Sequence, residues 1–288
     1  MTDAFIEHRP LLFTMAYEML GSIADAEDVL QEGWLRWDSV DQAEVRDPRA
    51  YLVRLVTRQS LNKMRTLKRQ RETYVGPWLP EPLATTPDVA DDVELADSVS
   101  FAMLVVLETL TPLERAVFVL REVFGFEYDE IAAATERTPD AVRQLASRAR
   151  KHVQARRPRI NRTTSYDEVA QRFLAAAATG DVQGLMDVLA PDVVLLTDGG
   201  GKIQAALRPI QGSDKVARWF SGVMRMDAVV DATWTELNGA PAVLLYLDGV
   251  LDTVVSIRMQ DDRVQQIFLV RNPDKLGRLD VVQELTRS

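Results

Sequence analysis

Thr111-Pro112-Leu113-Glu114-Arg115-Ala116-Val117-Phe118-Val119-Leu120 opens the stretch, running to Val153, that decides how the rest of the chain is read. Thr111 and Glu114 have capping-box spacing, and Pro112 takes the first helical position. Leu113, Ala116, Val117, Leu120 and Val123 recur at helical spacing, and Gly125 supplies a stop. A short helix is expected over Glu127 to Thr135. Thr138 then caps a third helix, with Pro139 and Asp140 in its first turn. That helix turns Val142, Ala146, Ala149 and Val153 inward and Arg143, Gln144, Ser147, Arg148, Arg150 and Lys151 outward. Two helices joined by a tight turn, the second one basic, predict a helix-turn-helix with a recognition helix.

A net charge of −9 over 288 residues is at odds with DNA binding only if charge is averaged. Nucleic acid responds to local patches. Arg46 to Arg71 holds nine Lys/Arg against Asp47 alone, and Arg143 to Arg162 holds eight with no acid. Between them, Glu72 to Glu114 carries nine acids and no Lys or Arg. The chain has no Cys and only His8 and His152, which excludes disulfides and a thiolate nucleophile and disfavours a His-rich metal site. No apolar run nears the roughly 18 residues of a membrane span, and no signal peptide is visible. We therefore expect a cytoplasmic protein without membrane association, metal or cofactor.

The first third reads as helices. His8 to Leu20 places Leu11, Leu12, Met15, Ala16 and Met19 on one face. Asp25 to Trp37 places Ala26, Val29, Leu30, Gly33, Trp34 and Trp37 inward, with Asp25, Asp28 and Glu32 outward. Asp47-Pro48 starts a helix on which Arg54, Arg58, Asn62, Arg65 and Arg69 form one stripe. Like charges at these steps repel, and a polyanion offsets the repulsion. Trp34, Trp37 and Tyr51 are either core aromatics or stacking platforms for unpaired bases. Tyr74-Val75-Gly76-Pro77-Trp78-Leu79-Pro80-Glu81-Pro82 is extended, and its apolar side chains imply docking into a groove. Thr85 to Asp97 reads as acidic and flexible, and helix resumes near Glu94.

After Arg156-Arg157-Pro158 the style changes. A capping box at Ser165 to Glu168 opens a helix with Val169, Phe173, Leu174 and Ala177 inward, and Asp181 caps a short one. Strands are expected at Val193–Thr197, Ile203–Leu207, Val229–Leu237, Val243–Leu247, Val250–Met259 and Val264–Val270, interrupted by a helix over Asp214–Met224. This order predicts an α+β domain with a mostly antiparallel curved sheet. Asp198-Gly199-Gly200-Gly201-Lys202 lacks the Ser/Thr and the following helix of a phosphate loop, so it reads as a turn between strands or a contact surface.

Asp25-Ala-Glu-Asp-Val-Leu-Gln-Glu32 with Trp34 resembles the polymerase-binding helix of bacterial extracytoplasmic-function sigma factors. Arg46-Asp-Pro-Arg-Ala-Tyr-Leu52 through Arg69 resembles their −10 recognition and melting segment. Leu110 through Val153 is similar to their region 4, which reads the −35 element. The remainder resembles a SnoaL-like, cone-shaped domain. One sigma subfamily joins these parts, marked here by Tyr74 to Pro82, Asp198 to Lys202 and Asn272-Pro-Asp-Lys-Leu276. The resemblance implies a multidomain chain, with two all-α sigma domains and a C-terminal α+β SnoaL-like domain. Its boundaries would be 1–73 for region 2, 74–93 for a Pro-rich acidic linker, 94–157 for region 4, 165–277 for the SnoaL-like domain and 278–288 for a tail.

By position, the resemblance puts Asp25, Asp28 and Glu32 against the β′ clamp helices of RNA polymerase core, with the β flap as a second contact. It puts Arg54, Arg58, Asn62, Lys63 and Arg65 on −10 DNA, and Arg143, Gln144, Ser147, Arg148 and Lys151 on the −35 element. Trp78, Leu79, Pro80, Asp198, Gly199, Gly200, Asn272, Pro273, Asp274 and Lys275 become regulatory contacts, by which the tail domain acts in cis on a monomeric, non-enzymatic sigma factor. The alternative is a sensing or enzymatic SnoaL-like domain fused to a DNA-binding module. Asp198, Asp248 and Asp252 are then its candidate carboxylates, with Trp219, Trp234 and Tyr246 lining its pocket, but no base and oxyanion-donor pair stands out.

Overall fold

A computed structural model describes residues 4–86, 92–156, 166–223 and 230–287. Contacts divide the chain into two units. The first holds residues 1–73, 83–157 and 281–288, and the second holds 74–82 and 158–280.

In the first unit, α1 (Ala4–Leu20), α2 (Ile23–Asp38) and α3 (Pro48–Arg71) pack together. Their starts follow local capping chemistry. The Ser22 hydroxyl accepts from the Asp25 amide at 3.2 Å and the Asp47 carboxylate from the Ala50 amide at 3.0 Å. Ala26, Val29, Leu30 and Trp37 are buried as the spacing predicts, whereas Trp34 is exposed. Tyr51 tilts against Trp37 at 5.6 Å, so these two are packing aromatics. Helix resumes at α4 (Val93–Val99), breaks at Ser100, and continues as α5 (Phe101–Leu107).

Next come α6 (Pro112–Phe118), α7 (Tyr128–Thr135) and α8 (Pro139–Gln154). The capping box at Thr111 forms as expected. The expected stop at Gly125 is preceded by a widened turn over Val119–Val123, where the Phe124 amide reaches back to the Val119 carbonyl at 3.3 Å. Glu136 ends α7 in the left-handed conformation, with φ 55°. The hydrophobic core of the unit runs without a break from Phe5 in α1 to Val153 in α8. The two sigma-like helical regions therefore share one core.

The last residues of the chain also belong to this unit. The Gln283 amide donates to the Ala84 carbonyl at 3.0 Å, and the Thr286 amide to the Thr14 hydroxyl at 3.1 Å. Leu285 is buried, and Arg287 pairs with Asp92 and Glu94.

In the second unit α9 (Tyr166–Thr179), α10 (Val182–Val188) and α11 (Ser213–Val223) accompany a six-stranded sheet. The strands are β1 (Leu189–Asp198), β2 (Ile210–Gln211), β3 (Val230–Leu237), β4 (Ala240–Leu247), β5 (Val250–Gln260) and β6 (Arg263–Val270), in the order β2-β1-β6-β5-β4-β3. Helical Phe173 and Phe220 join Val243, Val255, Ile267 and Leu269 in the core, which is the α+β arrangement expected. The strand expected over Ile203–Leu207 does not form. Those residues lie in the β1–β2 connection and are mostly exposed, so their apolar alternation has no partner strand. The capping box at Ser165, the start of β3 at Val229 and Met224 lie outside the described residues.

Four pairings of the described strands are antiparallel, as expected of a mostly antiparallel sheet, and the fifth positions the site. β1 and β6 run parallel, with Asp198 opposite Val270. Their carboxyl ends emerge side by side, which brings the segment after Asp198 next to the segment that starts at Arg271.

Candidate functional site

The parallel β1–β6 pair seats Asp198 beside Asn272, Pro273, Asp274 and Lys275. Asp198 is fully buried, and both its oxygens are saturated. Oδ1 accepts from the Tyr74 hydroxyl at 2.6 Å and the Gly200 amide at 3.0 Å. Oδ2 accepts from the Leu79 amide at 2.9 Å and from Lys275 Nζ at 2.7 Å. Lys275 also donates to the Leu79 carbonyl at 2.5 Å, and its ammonium lies 4.1 Å from the centroid of the Trp78 ring. Asn272 donates to the Tyr74 hydroxyl at 2.9 Å and caps the short turn Pro273–Lys275. Burial, and then the Asp198 carboxylate beside it, push the Tyr74 hydroxyl far above its ordinary pKa, so it stays a donor.

Gly200 has φ +62°, and a Cβ there would overlap the Asn272 carboxamide. Gly199 and Pro80 are buried, while Pro273 and Asp274 are exposed, and Asp274 pairs with Lys202 at 2.7 Å. The segment Tyr74–Pro82 is thus held by side-chain and backbone bonds from Asp198, Asn272 and Lys275. The glycine run is a turn and contact surface, with no helix after it.

Two of the three candidate carboxylates of an enzymatic tail are otherwise engaged. Asp198 belongs to the network above. Asp252 accepts two bonds from Arg271, at 2.8 and 2.9 Å. Burial works against the Asp252 anion, but Arg271 and Thr253 outweigh it and hold the pKa below the ordinary value. Asp248 sits in the β4–β5 turn with φ 50°. Trp219 packs edge-on against Phe220, and Trp234 is exposed.

In the first unit, the outward face of α8 is as expected. Arg143, Gln144, Ser147, Arg148 and Lys151 are exposed, and Val142, Ala146, Ala149 and Val153 are buried. Asp140 holds Arg143 at 2.6 Å, while Glu122 holds Arg150 through two bonds at 2.6 and 3.0 Å. On α3, Arg54, Arg58, Asn62 and Arg65 are exposed. Lys63 stands apart from that stripe. It bridges Asp25 and Asp28 of α2, each at 3.0 Å. Burial lowers its pKa, but the two carboxylates outweigh this and hold it above the ordinary value. A residue expected on DNA is therefore paired here with two acids expected on polymerase. Glu32 is exposed on the same helix.

A buried polar cluster escaped the sequence reading. Glu18 of α1 is fully buried. Its Oε1 accepts from the Ser98 hydroxyl of α4 at 2.7 Å, and its Oε2 has no hydrogen-bond partner. Arg115 of α6 donates to the Glu18 carbonyl at 2.9 Å and, with Arg71 of α3, pairs with Glu108. The cluster ties α1 and α3 to α4, α6 and the end of α5. The signal that could have found it is a lone acid in the apolar run Leu11 to Leu20. Among the described residues no helix is long and apolar enough to cross a membrane.

Comparison with known proteins bears on both units. Residues 4–70 match the family described as Sigma-70 region 2, and residues 100–153 match Sigma-70, region 4. Over 285 residues the chain is 39% identical to the ECF RNA polymerase sigma factor SigJ of Mycobacterium tuberculosis, covering 93% of this chain and 90% of that protein. It is 31% identical over 284 residues to the probable ECF RNA polymerase sigma factor SigI of the same species, covering 97% and 96%. The crystal structure of the M. tuberculosis extracytoplasmic function sigma factor SigJ matches with a TM-score of 0.76 at 36% identity. That match covers 94% of this chain and 96% of the other.

Proposed function

The chain belongs to the extracytoplasmic-function family of RNA polymerase sigma factors, and from that premise we propose that it directs promoter-specific initiation under control of its own C-terminal domain. α2 carries the polymerase contact, through Asp25, Asp28 and Glu32 against the β′ clamp helices, with a second contact on the β flap. The α3 stripe reads the −10 element. The outward face of α8 reads the −35 element, with Arg and Gln able to pair with guanine and adenine edges. The observation that carries control in cis is the Asp198 network. The C-terminal domain grips the segment that joins the −10 helix to the region 4 helices, and a fixed connector lowers the ordering entropy those helices lose on a promoter. On this reading the tail domain acts by binding: Asp198 and Asp252, two of its three candidate carboxylates, are tied into structural pairs.

Two measurements test this reading. Polymerase core should be captured by the wild-type chain and lost on Asp28→Arg, with the circular dichroism spectrum unchanged. Start-site-specific transcription should change on Lys275→Met while capture persists. Failure of capture by the wild-type chain defeats the sigma assignment. Identical transcription by the Lys275 variant defeats control through the connector.

A further inference from the structure

The end of the chain returns to the first unit as a short extended segment. Val281 and Val282 are exposed, and the engaged part begins at Gln283. The Gln283 amide donates to the Ala84 carbonyl at 3.0 Å, and Thr85 and Gln283 form a parallel bridge. This is strand addition one residue pair long. Leu285 is buried in the core that the helices of the unit share. The Thr14 hydroxyl of α1 donates to the Pro10 carbonyl at 2.8 Å, which leaves its lone pairs to accept from the Thr286 amide at 3.1 Å. Arg287 Nη2 donates to both oxygens of Asp92, each at 2.9 Å, and Nη1 pairs with Glu94.

In an extended segment, side chains at every second position point the same way. Leu285 and Arg287 are both engaged, while Glu284 between Gln283 and Leu285 is exposed. The surface opposite therefore offers a backbone edge, an apolar socket, a hydroxyl and two carboxylates, in the order in which a short peptide meets them. Charge matches as well. Glu72 to Glu114 carries nine acids and no Lys or Arg, and Arg287 brings a cation to two of those acids.

We propose that the first unit carries a peptide-binding groove, built by α1, residues 84–85 and the start of α4, with Gln283–Arg287 as its tethered ligand. The groove takes an extended segment with an apolar residue followed two positions later by Arg. This inference stands apart from the sigma reading, since it concerns only what the helical unit binds. Tethering through the short exposed link gives the tail an effective concentration of about millimolar, so the groove is filled in cis. The Arg287 pairs are partly exposed and weaken with salt, whereas the Leu285 contact does not.

The test uses the full chain and two readouts. Hydrogen exchange of the Gln283 and Thr286 amides reports departure of the tail, because each loses its acceptor only then. Arg287→Glu sets an anion against Asp92 and Glu94 and should speed both amides about tenfold. Adding Glu94→Arg should return both to within about threefold of wild type, and Glu284→Gln, at an exposed position, should change them less than about twofold. The second readout is anisotropy of a fluorescein-labelled peptide of residues 279–288. It should bind the Leu285→Asp chain, whose own tail is ejected, about tenfold or more tighter than wild type. Should circular dichroism show that Leu285→Asp does not fold, Arg287→Glu is the recipient chain. Unchanged exchange in Arg287→Glu, or acceleration of one amide alone, overturns the docked ligand. A peptide that binds wild type and variant equally, or binds neither, overturns the groove.

Discussion

Replacing Lys275 by Met removes one ammonium and keeps most of the side-chain volume. Lys275 is 8% exposed and its partner Asp198 is 0% exposed, so the pair cannot fall back on water. Breaking a buried pair from one side costs about 3–5 kcal/mol, because the remaining charge is left uncompensated. The Leu79 carbonyl loses a donor, and the face of Trp78 loses its cation. Those losses belong to the same side chain and do not add independently. Taking about 3 kcal/mol, opening of the Tyr74–Pro82 segment becomes about 100-fold more frequent, since each 1.4 kcal/mol is tenfold. The Leu79 amide reports this directly, because it donates to Asp198 Oδ2 and exchanges with solvent only when that bond opens. Its hydrogen exchange should accelerate about 100-fold in Lys275→Met. Lys202→Met serves as control. Its pair with Asp274 has the same 2.7 Å length but is 54% and 63% exposed, so the change should be under about 1 kcal/mol. Exchange of Leu79 in Lys275→Met within threefold of wild type would refute the view that burial makes this pair the hold on the connector.

Two further outcomes follow from the same physics. Burial, opposed in part by Ser98 and Arg115, pushes the Glu18 carboxyl from an ordinary 4.5 to about 8. The folded state therefore binds the proton more tightly than the unfolded chain. Stability from this group is fully present below about pH 4.5, declines as pH rises toward 8, and is flat above. Glu18→Gln stays neutral, so the difference in melting temperature between variant and wild type should shift across that window; a constant difference removes Glu18 as the cause. Gly200→Ala puts a Cβ into the Asn272 carboxamide at a left-handed position, and should destabilise the second unit by about 1–3 kcal/mol in urea unfolding followed by Trp fluorescence.

The helical half of the chain was legible because its signals are local. Thr111 with Glu114, Asp47 before Pro48 and the 3.6-residue recurrence in α8 each specify a start or a face without reference to distant residues. Tyr74, Trp78 and Leu79 were legible as docking residues because apolar side chains in a proline-rich segment need a surface. Their partners were reached through resemblance, since no local rule links Asp198 to Lys275. That proximity comes from the parallel register of β1 and β6, with their chain ends 72 residues apart (Asp198 to Val270) yet adjacent in the sheet. Ile203–Leu207 misled for the converse reason: alternation marks a strand only where a neighbour completes its ladder. Lys63 was placed among the DNA-facing residues by resemblance, and no local rule pairs it with Asp25 and Asp28, which the packing of α2 on α3 sets opposite it.

The two holds in this molecule differ in kind, and the difference decides which part moves. Arg58 of α3 donates to the Ala133 carbonyl of α7 at 3.2 Å and lies 3.4 Å from the Glu136 carboxylate; this contact is wet, mostly charge-based and worth no more than about 1 kcal/mol for its ion pair. The grip of Lys275 and Asp198 on the connector is dry and several-fold stronger. Thermal energy and modest salt compete with the first and leave the second intact. Asp28 and Lys63 share an ion pair 3.0 Å long, and Lys63 lies on α3 five residues beyond Arg58, so the acids of α2 and the cations of α3 are linked through a partly exposed pair of the weaker kind.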